Sequence, residues 1–255
     1  MNNIGYTSDL VIFGIESIKN DNCRELPIKK LSLLLVKRDK EPFINKWCLP
    51  GGFINNDETS LQAANRILKR ETNLVNVYLN HLDVFDDINR DPRGRIISNS
   101  YFALIDKNKI KDTISENSKW FDVEINENKK LINIKLTNNE ELNIQIEKNI
   151  KYSTTNEYSY KLIKNDLAFD HGLIISKGID TLKNKAENTD IIFNLMPELF
   201  TIGELKQVYE LLLNKKLINS AFRRIIAKKI EPTEKIIKNG GFRPSILYKY
   251  KNKII

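Results

Sequence analysis

Between Gly51 and Leu74 the chain reads GGFINNDETSLQAANRILKRETNL, and the charged residues in this stretch have the types and spacing that could do chemistry. The run KWCLPGGF before it looks like a strand that ends at a Gly-Gly turn. Thr59 or Ser60 then opens a helix with Leu61, Ala64, Leu68 and Thr72 at helical spacing. On that helix, positions 67, 70 and 71 stand three and four residues apart and share a face. Carboxylates at all three would converge on one point, a set of anionic oxygens suited to a hard divalent cation such as magnesium. Here only Glu71 is acidic. Ile67 offers no ligand, and Arg70 sets a permanent positive charge beside any cation, which is repulsive in a partly dry pocket. Without such a metal, little remains on this face to activate water, so metal-assisted hydrolysis here is expected to be weak. Asp57, Glu58, Asp86 and Asp87 are the acids from which a weaker metal site could be rebuilt.

The elements that position this helix read as a sheet. LVIFGI (10 to 15) and LSLLLVKR (31 to 38) are short β-rich runs, and VNVYLNHLDVF and RIISNSYFALI follow, joined by the turn-rich DDINRDPRG. From 124 to 165 the composition shifts to Lys, Asn, Glu and Ile, with alternation around an Asn-Asn pair. That stretch is expected to be a polar β insertion, an exposed edge or an interaction element. FDHGLIISKGIDTLKNKAEN (169 to 188) is expected to be an amphipathic helix with Asp170 near its start, where a carboxylate suits the helix dipole.

With these elements in place, the opening stretch resembles the Nudix box, on Gly52, Glu58, Arg66, Leu68, Glu71 and Leu74 in register. The chain departs from it at Ile67 and Arg70, where the box has glutamates, and at Asn73, where it has glycine. Asn73 tolerates the left-handed conformation that ends a helix. The resemblance implies that Lys37, Arg38, Arg90, Arg93 and Arg95, in segments like those lining the ligand cleft of Nudix proteins acting on ADP-ribose-like compounds, contact an anionic ligand. Glu58, Arg70 and Glu71 join them, with Arg70 taking over the charge role of magnesium and pairing with a ligand phosphate or with Glu58. Asp170 and His171 recur in the regulator branch of the family, as a structural cap or as ligand contacts.

The last quarter of the chain is a separate module. Thr201 and Glu204 form a capping-box pattern ahead of IGELKQVYELLL, whose apolar face is Ile202, Leu205, Val208, Tyr209 and Leu212. NKKLIN then leads to a second helix, SAFRRIIAKKI, with Phe222, Ile225, Ile226 and Ile230 expected inward. Two strand-like runs around Asn-Gly-Gly follow as a hairpin. Helix, turn, helix, hairpin is the winged-helix order, and its second helix has the charge of one that enters a major groove. Asn219, Ser220 and Arg223 are candidates for base or phosphate contacts, Arg224, Lys228 and Lys235 for phosphate neutralisation, and Arg243 for the adjacent minor groove.

Charge agrees with this division. Residues 190 to 255 hold 13 Lys and Arg against 6 Asp and Glu, so nearly all of the chain's formal +8 lies there and points to a polyanionic partner. No apolar run reaches the roughly 18 residues of a membrane span, and the N-terminal residues lack the features of a secretory signal, so the expected compartment is the cytoplasm. Cys23 and Cys48 are too few and too far apart for a disulfide framework or a zinc site.

Both halves together resemble the Nudix-related transcriptional regulators. The expected fold class is α+β: a Nudix α/β/α sandwich with a mixed sheet over residues 1–188, and a winged helix-turn-helix over 189–255. The resemblance implies a homodimeric regulator of a bacterial metabolic operon that binds double-stranded DNA. It would respond to an ADP-ribose-like nucleotide linked to NAD metabolism, or to a sugar, with no cofactor required. The rival enzyme reading is a magnesium-dependent Nudix hydrolase of ADP-ribose or a related compound, and a third is a protein-interaction adaptor.

Overall fold

The computed structural model describes residues 4–18, 26–110, 114–128, 130–152, 154, 157–237 and 244–252; Cys23, the Asn-Gly-Gly turn and Arg243 lie outside them. The chain begins with β1 (Gly5–Ile18), β2 (Ile28–Lys37), β3 (Trp47–Cys48) and β4 (Gly51–Phe53), followed by α1 (Ser60–Thr72), β5 (Tyr78–Phe85) and β6 (Ile96–Ile105). Next come β7 (Ser118–Glu127), β8 (Leu131–Thr137), β9 (Glu141–Tyr152), β10 (Glu157–Asn165) and α2 (His171–Asn188). The C-terminal elements are α3 (Ile202–Leu213), α4 (Asn219–Ile226), β11 (Ile230–Ile237) and β12 (Ser245–Tyr250).

Ten strands form one mixed sheet, ordered β10-β9-β8-β7-β2-β1-β6-β5, with β3 beside β2 and β4 beside β1. β1 and β6 run parallel, and the remaining pairs are antiparallel. The unbroken apolar run of β1 follows from cover on both faces. On one face α1 lays Ala64, Ile67 and Leu68 against Leu10, Ile12 and Leu34. On the other, α2 sets Ile174, Ile175 and Ile179 against Val11, Phe13 and Leu33. Gly178 permits that approach, since a Cβ there would stand 3.0 Å from Val11.

α1 starts as its sequence predicts. Thr59 accepts from the Gln62 amide, the Gln62 side chain returns the bond, and Asn73 closes the helix at φ 54°. The buried face differs from the expected one: Leu61 is exposed, and Ile67 points into the core. Burying that side chain contributes about 1.5–3 kcal/mol, which a glutamate there would forfeit.

The stretch from 124 to 165 is not an exposed insertion. β7 to β10 continue the main sheet as an antiparallel meander, and Ile132, Ile134, Leu136, Leu142, Ile144 and Ile146 point into the main core. Period-two alternation is the signature of a half-buried strand, and it decides the matter over the Lys and Asn content, which lies on the other face.

In the C-terminal module the hairpin of β11 and β12 gains a one-residue third strand where Phe200 and Tyr248 exchange both backbone hydrogen bonds. α4 ends at Ile226, a turn before the sequence suggests, and Ile230 begins β11. Phe222, Ile226 and Ile230 are buried as expected, whereas Ile225 is 59 % exposed. Phe193, Leu195, Met196, Phe200, Leu205, Val208, Leu212 and Phe222 belong to the same hydrophobic core as the large sheet. β2 meets α3 through Lys29, whose ammonium lies 3.2 Å from Glu204 Oε1. Glu204 also accepts from the Thr201 amide at 2.9 Å, completing the capping box. Burial works to raise the Glu204 pKa, yet Thr201 and Lys29 hold it below the ordinary 4.5. A depressed carboxylate stabilises the fold above its unfolded pKa and loses that contribution as pH falls through the folded value. The expected result is a stability profile that declines below about pH 4.5 more steeply in the natural chain than in Glu204→Gln, followed by urea unfolding.

Candidate functional site

Where the C-terminal ends of β2 and β3 meet β4, α1 and the start of α2, the structure encloses a cleft of about 420 Å³. Its lining includes Lys37, Arg38, Arg70, Glu71, Arg90, Arg93 and His171 from the sequence candidates. Three others stand outside it. Glu58 holds Arg66 rather than Arg70, Arg95 donates to the Asp86 carbonyl, and Asp170 lies behind the wall.

The place where a metal would sit is filled by protein charge. Arg70 Nε donates to Glu71 Oε1 at 2.5 Å, and Arg70 Nη2 donates to the Gly51 carbonyl at 3.2 Å. Glu71 is 2 % exposed, and its other oxygen accepts from Ser115 Oγ at 3.1 Å and Ser118 Oγ at 2.8 Å. The carboxylate is therefore fully partnered, not nearly alone as the box alone suggests. The residues present do not fit magnesium: one potential ligand is a buried isoleucine, the second is a guanidinium, and the third already accepts three hydrogen bonds. Among the described residues, no three His, Cys, Asp or Glu side chains are grouped so as to hold a metal ion.

A buried ion network forms the cleft floor. Arg90, its side chain only 3 % exposed, donates to both oxygens of Asp170 at 2.9 and 2.8 Å and lies 3.6 Å from Asp9. Asp9 accepts from Ser98 Oγ at 2.6 Å. Gly51 leaves room for this acid, since a Cβ there would stand 2.1 Å from Asp9 Oδ1. Asp170 makes no side-chain cap bond on α2, so its role is to hold Arg90. His171 Nδ1 accepts from the Leu49 amide at 2.9 Å, which leaves Nε2 carrying the proton, 3.9 Å from Asp9. Burial lowers the His171 pKa below the ordinary 6.5, so the ring is neutral near pH 7. Burial likewise pushes the Cys48 thiol up to about 12, which makes it a poor nucleophile.

Aromatic rings and cations form the rim. Arg93 is clamped by Asp91 at 2.9 and 2.6 Å, and its guanidinium lies 5.2 Å from the Phe53 ring and 5.3 Å from Phe169. Burial works to raise the Asp91 pKa, but the Arg93 bonds keep it below the usual value. Arg38 sits 4.8 Å over Phe169, and Phe43 packs edge-on to the same ring at 5.0 Å. Phe169 adopts φ 54°, a left-handed conformation costing a bulky residue about 1–3 kcal/mol, the kind of strain found at binding sites. Asp9, Asp91, Ser115, Ser118, Phe53 and Phe169 were not singled out in the sequence. Asp9 had a signal, an acid heading an otherwise apolar strand; the others become visible only through contacts.

The second candidate surface is α4. From 211 to 230 the sequence holds six Lys and Arg and no acid. Lys215, Lys216 and Lys229 pair with Glu187, Glu210 and Asp190. Arg223, Arg224 and Lys228 are exposed, and none of them has an ion-pair partner among the described residues. Asn219 and Ser220, at the start of α4, and Lys235, on β11, are exposed as well.

Comparison with known proteins places both halves. Residues 26–137 match the family model of the NUDIX domain, and residues 192–250 match that of the NrtR DNA-binding winged helix domain. The chain joins the two domains that make up the Nudix-related transcriptional regulators. It is 29 % identical to the ADPR responsive transcriptional repressor NtrR of Acinetobacter baylyi over 250 residues, covering 96 % of this chain and 81 % of that one. It also superposes on Shewanella oneidensis NrtR complexed with a 27mer DNA, with a TM-score of 0.66 and 27 % identity over 96 % of this chain and 93 % of the other. A MutT/nudix family protein from Enterococcus faecalis shares the fold at a TM-score of 0.70 and 24 % identity, over 98 % and 88 % of the two chains.

Proposed function

We propose that this chain is a ligand-responsive transcriptional regulator whose Nudix domain binds an ADP-ribose-like nucleotide without cleaving it and whose winged helix binds double-stranded DNA. The observation that carries this reading is Arg70, whose guanidinium pairs with Glu71 and takes up the one carboxylate left on this face of α1, beside an arginine-lined cleft where a hydrolase of this family needs carboxylates and magnesium. The Acinetobacter baylyi relative, described as responsive to ADPR, supports the ligand class. The Shewanella oneidensis relative, solved with DNA, supports the partner. No helix among the described residues is long and apolar enough to cross a membrane, in keeping with a protein that meets DNA in the cytoplasm. We further propose that it acts as a homodimer on two symmetric half-sites and needs no cofactor. Ligand and DNA are coupled only if the ligand prefers one DNA-binding state over another. Because β2 carries Lys37 to the cleft and Lys29 to α3, a displacement at the cleft has a short route to that helix.

The test is calorimetry with ADP-ribose in magnesium and in a chelator, alongside a turnover assay. Equal affinity in both and no cleavage is the expected result. Strict metal dependence, or turnover at about 1 s⁻¹ or faster, would establish the hydrolase instead.

A further inference from the structure

α4 carries an apolar stripe that the fold does not use. Ile218 is 74 % exposed and Ile225 59 %, with Ala221 between them. Ala221 and Ile225, four residues apart, share one flank of the helix, roughly a quarter turn from the buried Phe222 and Ile226, and Ile218, the N-cap residue in extended backbone, stands just ahead of it. Two β-branched residues so exposed on an eight-residue helix bring no stability through burial, so their value must lie in contact with something else. Arg224 and Ser220 border the flank on one side, with Arg223 and Asn219 further round the helix, all exposed. A hydrophobic protein partner would have to bury Arg224, which has no ion-pair partner among the described residues, at a desolvation cost of several kcal/mol. A DNA major groove meets both demands together: phosphates pair the guanidiniums, and one base edge, that of thymine, presents a methyl group.

Resting on the proposed DNA binding, we infer that Ile218 and Ile225 are specificity-determining residues that read thymine C5-methyl groups within each half-site. Sequence preference then comes from apolar contact along one flank, and affinity from the arginines along the other. Burying one methyl group is worth about fourfold in affinity.

Duplexes are first selected from a random pool by the full-length protein, and each thymine of the winning site is then replaced by deoxyuridine, which removes the methyl and nothing else. The natural chain is expected to lose about fourfold at one or more thymines in each half-site. Ile225→Ala and Ile218→Ala, changes at exposed positions, are expected to abolish that difference while keeping the salt dependence. If duplexes bind in a salt-sensitive manner and deoxyuridine is neutral throughout, the inference is overturned and DNA binding stands. If the alanine variants weaken dimerisation and leave the thymine-to-deoxyuridine ratio unchanged, the stripe is a protein interface and the inference again fails. If no duplex is selected, the DNA-binding reading itself is lost.

Discussion

Arg90→Met is expected to cost about 3–5 kcal/mol of folding stability, the range for removing one member of a buried ion pair. Its guanidinium is held by both oxygens of Asp170 and by Asp9, and all three side chains are largely buried. Methionine fills a similar volume but leaves two carboxylates without their cation. Against a total stability of about 5–15 kcal/mol this is a large fraction. Urea denaturation measures it as a fall in midpoint with little change in slope. Adding Asp170→Asn to the same chain should recover part of the loss, because the neutral amide is cheaper to bury unpaired. A variant that unfolds like the natural chain would mean that water reaches the network and screens it. Arg90 looks in the sequence like a surface cation ready for a phosphate; in the structure it holds the floor of the cleft to the first turn of α2.

The second large effect is expected on DNA. Arg223→Ala combined with Arg224→Ala should weaken duplex binding by at least about fivefold, and by up to about 150-fold if one guanidinium pairs bidentately with guanine. Phosphate contacts and base contacts separate by salt. Each lost phosphate contact makes log K against log salt shallower by about 0.9, whereas a lost base contact lowers affinity on the cognate site and leaves the slope alone. Fluorescence anisotropy at several salt concentrations, on cognate and scrambled duplexes, reads both. Neither arginine has an acidic partner in the fold among the described residues, so the double variant should retain its thermal stability. Unchanged affinity and slope would remove α4 from the interface.

How far the sequence reached depended on how local each determinant is. Thr59 or Ser60 as a cap, Thr201 with Glu204 and the helix-ending Asn73 all act within one helical turn, so residue type and spacing located those helix ends. Gln62, the other half of the Thr59 capping box, went unread. The loss of carboxylates at 67 and 70 was legible for the same reason. What Arg70 does with its charge was not. Of the two partners the sequence suggested, Glu58 instead holds Arg66, and the protein partner of Arg70 is its neighbour Glu71, backed by serines 44 and 47 positions away. Arg90 and Asp170 are 80 residues apart, and no periodicity links them. The stretch from 124 to 165 was misjudged because composition was weighed over alternation. Ile225 was placed inward because α4 was taken to run on to Ile230; once the helix stops at Ile226, the next inward residue comes from a strand.

The single hydrophobic interior shared by sheet and winged helix bears on how such a protein can change over time. Had the two halves been tethered by a slack linker, each could be swapped for a foreign counterpart without harm. Here Phe193, Leu195 and Phe200 fill space beneath the large sheet, so a graft must match shape as well as sequence. Sensor and reader are therefore bound to drift together, with a loss of packing in one felt as a loss of competence in the other.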